Sequence, residues 1–170
     1  MIAILLNDAS FEQDIRELLM AFYPGETFTH KEEEAGEADL IVRGVRDGNS
    51  FSLDVTPVKK EAVHFALIYP DFSNRFETKN EIKQTLYRLL SAQTGRELPW
   101  GTLTGIRPTK IALTKLYDGW TDEQIETYMR ETYFTSKEKI DLSIDVAERE
   151  RRLLSTIDYE NGYSLYVGIP

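Results

Sequence analysis

The sequence predicts an α+β fold, in which a small, mostly antiparallel sheet carries packed helices and is followed by a helical extension. Short apolar runs bounded by turn residues recur through the first half of the chain. Asp47-Gly48-Asn49 stands between two of those runs, and Asp-Gly readily takes the positive φ angles of a tight hairpin. Beyond Pro99 the apolar residues recur at helical spacing in three consecutive segments. The expected division is an α+β domain over 1–98, a helical extension with a Gly/Thr/Arg turn over 99–157, and a closing strand over 158–170.

Ile2 to Leu6 reads as a strand buried on both faces. Ser10 and Gln13 fit a capping box, and Phe11, Ile15, Leu18, Leu19 and Phe22 follow at helical spacing until Pro24-Gly25. Part of Thr27 to Lys31 is expected as an edge strand, and Glu32 to Glu37 as a solvated acidic loop. Leu40-Ile41-Val42 and Phe51 to Val55 form the arms of the hairpin. In the second arm Phe51, Leu53 and Val55 share the buried face, while Ser52, Asp54 and Thr56 share a wet one. Val63 to Tyr69 is a further strand, stopped by Pro70, and Phe65, Tyr69, Phe72 and Phe76 are assigned to the core. A helix from about Phe76 to Thr94 carries Ile82, Leu86 and Leu89 on one stripe, with Gly95 placed as its C′ residue.

In the extension, Pro108 suits a first helical turn, where its missing N–H costs nothing. Ile111, Leu113 and Leu116 follow, and Asp118-Gly119 ends the helix. Thr121 with Gln124, and Thr135 with Glu138, fit two more capping boxes, opening helices over about 122–133 and 136–156. Ile140, Ile144, Ala147 and Leu154 form the last apolar stripe, and Glu148 to Arg152 is solvated charge. After the Asn161-Gly162 turn, Tyr163 to Pro170 reads as a strand with Leu165, Val167 and Ile169 on one face. Such a strand wants a partner sheet, so the chain is expected to be cut from a longer protein.

The chain has 170 residues, with Lys plus Arg 20, Asp plus Glu 29 and a net charge of −9. Phosphate backbones repel such a chain, which disfavours non-specific nucleic-acid binding. The absence of cysteine excludes disulfides, thiolate zinc sites, Cys nucleophiles and Cys-ligated iron–sulfur clusters within these residues. Two histidines are too few for most His-rich metal sites. No apolar run approaches the ~20 residues of a membrane span, and the N-terminus lacks the basic region of a signal peptide. A cytoplasmic location is expected.

One segment carries a chemical signal. Gly101, Thr102, Thr104, Gly105, Arg107 and Lys110 precede or open a helix, and from Trp100 to Tyr117 there are three basic residues and no acidic one. Backbone N–H groups of the turn and the positive end of the helix after Pro108 suit an anion. The competing reading is architectural: Gly101 and Gly105 permit tight turns, Trp100 packs, and Arg107 caps a carbonyl or pairs within the chain. The Gly-x4-Gly-Lys-Ser/Thr spacing of a P-loop is absent. His64 and His30 have no neighbouring His or Cys in sequence and read as packed or surface histidines. Glu32, Glu33 and Glu34 lack the ligand spacing of a calcium loop. Asp8 and Asp14 read as helix-start acids, and no catalytic constellation emerges.

Two segments carry a resemblance. Trp100 to Lys110 resembles the "WGxLTGIRPTK" signature in the N-terminal region of one branch of the oxygen-independent coproporphyrinogen III oxidase (coproporphyrinogen dehydrogenase) family of radical S-adenosylmethionine enzymes. Tyr163 to Pro170 is similar to the "SLYVGIPFCP" that opens their catalytic domain. The layout of the chain agrees over nearly its whole length. The resemblance implies an N-terminal accessory domain whose parent oxidatively decarboxylates coproporphyrinogen III to protoporphyrinogen IX in haem biosynthesis. It implies S-adenosylmethionine and a [4Fe–4S] cluster in the parent, and neither cofactor nor activity in these residues alone. The next residues would begin the Cys-x3-Cys-x2-Cys motif that holds the cluster, so 158–170 becomes the first strand of the catalytic barrel.

The implied partners are the chain's own C-terminal catalytic domain and a porphyrinogen substrate in the parent, with neither membrane nor nucleic acid. Tyr166 matches a tyrosine near cluster and cofactor in family members that read "YVHIPFC", whereas this chain has Gly168 in place of the His. Thr104, Gly105, Arg107 and Lys110 are the expected interdomain or anion-binding residues. Two other classes compete: a non-catalytic α+β module for RNA or a protein partner, and a stand-alone metabolic enzyme that places a phosphate on the Gly/Thr/Arg turn.

Overall fold

The computed structural model describes residues 1–58, 63–105 and 107–155. Its strands are β1 (Ile2–Leu6), β2 (Phe28–Thr29), β3 (Leu40–Asp47), β4 (Ser50–Pro57) and β5 (His64–Ile68). Its α-helices are α1 (Glu12–Phe22), α2 (Arg75–Thr94), α3 (Pro108–Tyr117), α4 (Asp122–Tyr133) and α5 (Lys137–Leu154). The strands form one sheet in the order β2-β1-β3-β4-β5. β1 pairs parallel with β2 and β3, while β3–β4 and β4–β5 are antiparallel. The α+β class is therefore borne out, with a parallel β1 inserted beside the antiparallel meander.

One face of this sheet is covered by α1 and α2. Ile2, Ile4, Val42, Phe51, Leu53 and Val55 meet Ile15, Leu18 and Phe22 of α1 and Ile82, Leu86 and Leu90 of α2. Removing these side chains from water is the main stabilisation of the unit. The opposite face is covered at β1 by a 3-10 segment, Glu32–Glu37, where Ala35 and nearby Ala38 pack on Ala3 and Leu5. The sequence predicts a loop over this acidic stretch, and the structure has a 3-10 segment there. Its small residues pack against the sheet, and its carboxylates stay at the surface, Glu32 pairing with Arg43 at 2.6 Å.

A second core lies within the extension. Leu113 and Leu116 of α3, Ile125 and Met129 of α4, and Ile140, Ile144 and Ala147 of α5 converge there with Leu103. The Thr121–Gln124 capping box forms with both of its reciprocal hydrogen bonds.

Three local expectations are corrected. The carboxylate that starts the first helical segment belongs to Asp8, which accepts from Ser10 N at 2.9 Å and opens a 3-10 turn over Ala9–Phe11. Ser10 does not cap α1, because the extra turn moves its start to Glu12. At α5 the Thr135 hydroxyl turns inward to the Trp100 carbonyl at 3.5 Å, and the Ser136 side chain makes no cap hydrogen bond. Finally, Phe65, Tyr69 and Phe76 are 58%, 71% and 51% exposed, so they are not core. β5 is an edge strand that turns His64, Ala66 and Ile68 inward. Phe72 does pack, against Phe11 and beneath the Arg46 guanidinium, 3.8 Å from its ring centroid.

Candidate functional site

Residues 99–105 form a strap between the two cores. Ser136 N donates to the Pro99 carbonyl at 2.9 Å, and Thr102 N donates to the Tyr133 carbonyl at 2.8 Å. The Thr102 hydroxyl reaches the same carbonyl at 3.3 Å. These bonds fasten the strap to the α4–α5 junction, and those of Thr102 satisfy the Tyr133 carbonyl that the end of α4 leaves unpaired. Gly101 has φ +56°, and a Cβ there would run into the backbone of Tyr133 and Phe134. Only glycine fits that approach.

The strap then turns toward the sheet domain. Lys83 Nζ of α2 donates to Thr104 Oγ1 at 2.7 Å, and Thr104 Oγ1 donates to Glu17 Oε2 of α1 at 3.2 Å. Gly105 has φ +68°, and the Glu17 carboxylate oxygens lie 2.8 Å from where its Cβ would stand. A carboxylate does lie against this turn, and it is the chain's own. Lys83 is 6% exposed. Burial pushes its ammonium below the ordinary lysine range, and the charges of Asp14 and Glu17 oppose that shift.

Arg107 and Lys110 lie elsewhere. They border a groove of about 320 Å³ along α3, with Ile111, Lys115, Tyr128 and Tyr133 among its lining. Arg107 lies at the start of α3, before the expected Pro108. Its guanidinium is 63% exposed and approaches Glu150 of α5 at 3.6 Å. The Lys115 ammonium lies over the rings of Trp120 and Tyr128, at 4.3 and 5.0 Å from their centroids. The Tyr128 and Tyr133 hydroxyls are 3.3 Å apart, and burial raises the Tyr133 phenol above its usual range.

The anion cradle expected from sequence is thus divided. Thr104 and Gly105 belong to the seam with α1 and α2, whereas Arg107 and Lys110 face the groove beside α4. Sequence reasoning missed Glu17, Lys83, Tyr128 and Tyr133. Lys83 had a signal, since it stands three and seven residues before Leu86 and Leu90 on the buried side of α2.

The remaining candidates are local. His30 Nδ1 lies 3.2 Å from the Ile4 carbonyl, just past the two-residue β2, and its Nε2 lies 3.4 Å from Glu12. His64 is half-buried at the start of β5. Asp8 pairs with Arg46 at 3.1 Å, and Asp14 stands in the first turn of α1. Among the described residues no group of three or more His, Cys, Asp or Glu is placed to hold a metal. The whole chain lacks the thiolates that a [4Fe–4S] cluster needs, so these residues do not fit one. Tyr166 and the strand expected over 158–170 lie outside the described residues, as does Ile106. No described helix is long and apolar enough to cross a membrane.

The chain is similar to the oxygen-independent coproporphyrinogen-III oxidase-like protein HemZ of Bacillus subtilis (strain 168), with 33% identity over 119 residues. The match covers 68% of this chain and 23% of HemZ, so it spans less than a quarter of that relative. It supports the N-terminal-domain relationship that the two motifs carry. No family profile and no solved structure matches the chain.

Proposed function

We propose that this relative of HemZ is the N-terminal accessory domain of a radical S-adenosylmethionine oxidoreductase that converts coproporphyrinogen III to protoporphyrinogen IX. The sequence relationship to a coproporphyrinogen-III oxidase-like protein carries this reading. S-adenosylmethionine and a [4Fe–4S] cluster supply the radical chemistry in such a parent. With no cysteine in this chain, the cluster ligands belong to the catalytic domain.

Within that reading Arg107 and Lys110 form the contact with the catalytic domain. Arg107 keeps most of its guanidinium in solvent, and its 3.6 Å approach to Glu150 leaves donors for a second carboxylate. The arginine fork suits an acidic residue across the domain boundary or a substrate propionate. The boundary contact is favoured, because Glu150 belongs to α5, the helix nearest in sequence to the expected barrel strand. Thr104 and Gly105 support the contact indirectly, by fixing the strap from which α3 departs.

The test is Arg107→Ala in the full-length parent, with the same substitution in the isolated chain. Unchanged melting of the isolated chain with a fall in parent turnover supports the reading, and the balance of lost kcat against raised KM separates docking from substrate contact. Parallel loss of fragment stability and parent activity reduces Arg107 to a structural role. An isolated parent without coproporphyrinogen-oxidizing activity when loaded with both cofactors sinks the assignment.

A further inference from the structure

The groove between α3 and α4 has features that the interdomain reading does not need. Its lining contains three cations, Arg107, Lys110 and Lys115, and no carboxylate, in a chain of net charge −9. Its floor is apolar, made by Ile111 and the edge-to-face rings of Tyr128 and Tyr133, whose centroids are 5.7 Å apart. The volume, about 320 Å³, lies at the small end of the ~300–1,000 Å³ seen for ligand pockets.

The two phenols supply a further indication. Each carries one O–H, and the pair at 3.3 Å consumes only one of the two hydrogens. Among the described residues neither hydroxyl has another hydrogen-bond partner, so one O–H remains available for an acceptor. Lys110 likewise makes no ion pair among the described residues, and Lys115 reaches a carboxylate, that of Asp118, only at 3.9 Å. Burial keeps the Tyr133 phenol protonated, and therefore a donor, across the physiological range.

We propose that this groove is a binding site for a small organic anion: an oxyanion head received by Lys110, Arg107 and the spare tyrosine O–H, on an apolar, ring-sized body lying against Ile111 and the Tyr128 ring. The apolar floor rejects a bare inorganic ion, which gains nothing from it, and the three cations reject an uncharged ring, which leaves them unused. Trp120 lies beside the groove, its ring 5.6 Å from Tyr128, and provides a reporter. This use of Arg107 and Lys110 replaces their contact with a catalytic domain rather than adding to it, and it stands whether or not the parent oxidises coproporphyrinogen.

The experiment titrates the 170-residue chain with 2-naphthoate, 2-naphthamide and inorganic phosphate, following backbone amides and the Trp120 indole by NMR. Saturable one-to-one shifts are expected for naphthoate over 110–115, 120 and 128–133. Naphthamide and phosphate are each expected to bind at least about tenfold more weakly, since each lacks one half of the recognition. Lys110→Gln is expected to weaken naphthoate about threefold or more, and the Arg107→Gln, Lys110→Gln pair about tenfold, with the free protein's spectrum otherwise preserved because both side chains are exposed. Absence of saturable shifts overturns the proposal. So does equal binding of naphthamide, indifference to Lys110→Gln, or mapping of the shifts to the exposed apolar side of β5. Loss of coproporphyrinogen activity in the parent, with naphthoate binding intact, would count against the proposed function alone.

Discussion

Lys83 Nζ and Thr104 Oγ1 are 2.7 Å apart, and this hydrogen bond ties the sheet domain to the strap that introduces the helical extension. Thr104 passes its own hydrogen to Glu17, so one hydroxyl mediates between a cation and a carboxylate. Thr104→Val keeps the shape and removes the mediator. A destabilisation of about 1–3 kcal/mol is expected, the cost of stranding a buried polar partner. Thr104→Ser should recover most of it. Urea unfolding measures both, and a valine variant as stable as the native chain contradicts the role given to this bond.

The same lysine gives the chain a pH signature. Burial lowers its folded-state pKa below the ordinary 10.5. Between that lowered value and 10.5 the unfolded chain binds more protons, so native stability gains as pH rises through this window. Lys83→Met lacks that gain. Unfolding free energies of the two proteins, compared from neutral pH upward, should therefore shift in favour of the native chain as pH approaches 10.5. A difference that is constant with pH is the contrary result.

Two glycines of the strap should respond differently to alanine. At Gly101 the new Cβ meets the main chain of Tyr133 and Phe134, which cannot step aside without breaking the α4–α5 junction. A loss of about 3 kcal/mol or more is expected there. At Gly105 the obstacle is the Glu17 carboxylate, the end of a flexible side chain. Its loss should be smaller, about 1–2 kcal/mol, mostly from the positive φ. Thermal unfolding of the two variants gives the order, and the reverse order contradicts this account.

On the sheet, Phe51 and Phe65 form an internal comparison. Phe51 is fully buried, and Phe51→Ala should cost about 3–5 kcal/mol. Phe65 is 58% exposed, and Phe65→Ser should stay within about 1 kcal/mol. Comparable losses in chemical denaturation would place Phe65 in the core after all.

Much of this fold was legible because its signals are local. Asp47-Gly48, Gly95, Pro108 and the Thr121–Gln124 pair each act within a turn of the chain, where the residue's own chemistry decides the outcome. The inward face of β5 was not legible. Phe65, Leu67 and Tyr69 alternate as regularly as His64, Ala66 and Ile68, and the larger set wins a hydrophobicity argument. Yet the inward set is the smaller one, with Ala66 at its centre, on the side where α2 packs. The candidate site was half legible for a related reason. Thr104, Gly105, Arg107 and Lys110 stand out as a cluster in sequence, but their partners do not. Glu17 is 87 residues from Thr104 and Lys83 is 21 residues away. Only the packing of α1 and α2 reveals that the strap faces a carboxylate, while Arg107 and Lys110 beyond it face the groove.

The separation of 21 residues between Lys83 and Thr104 also orders events on the ribosome. Chains emerge N-terminus first, and domains fold as units as they appear. When α2 is complete, the strap is still being synthesised. Until Thr104 arrives, the Lys83 ammonium retains its water on the side the strap will cover, with the charges of Asp14 and Glu17 to favour it but no hydrogen-bond acceptor from the strap. The nascent sheet unit thus lacks both hydrogen bonds of Thr104, its seam open to solvent, until the strap that leads to the helices can close it.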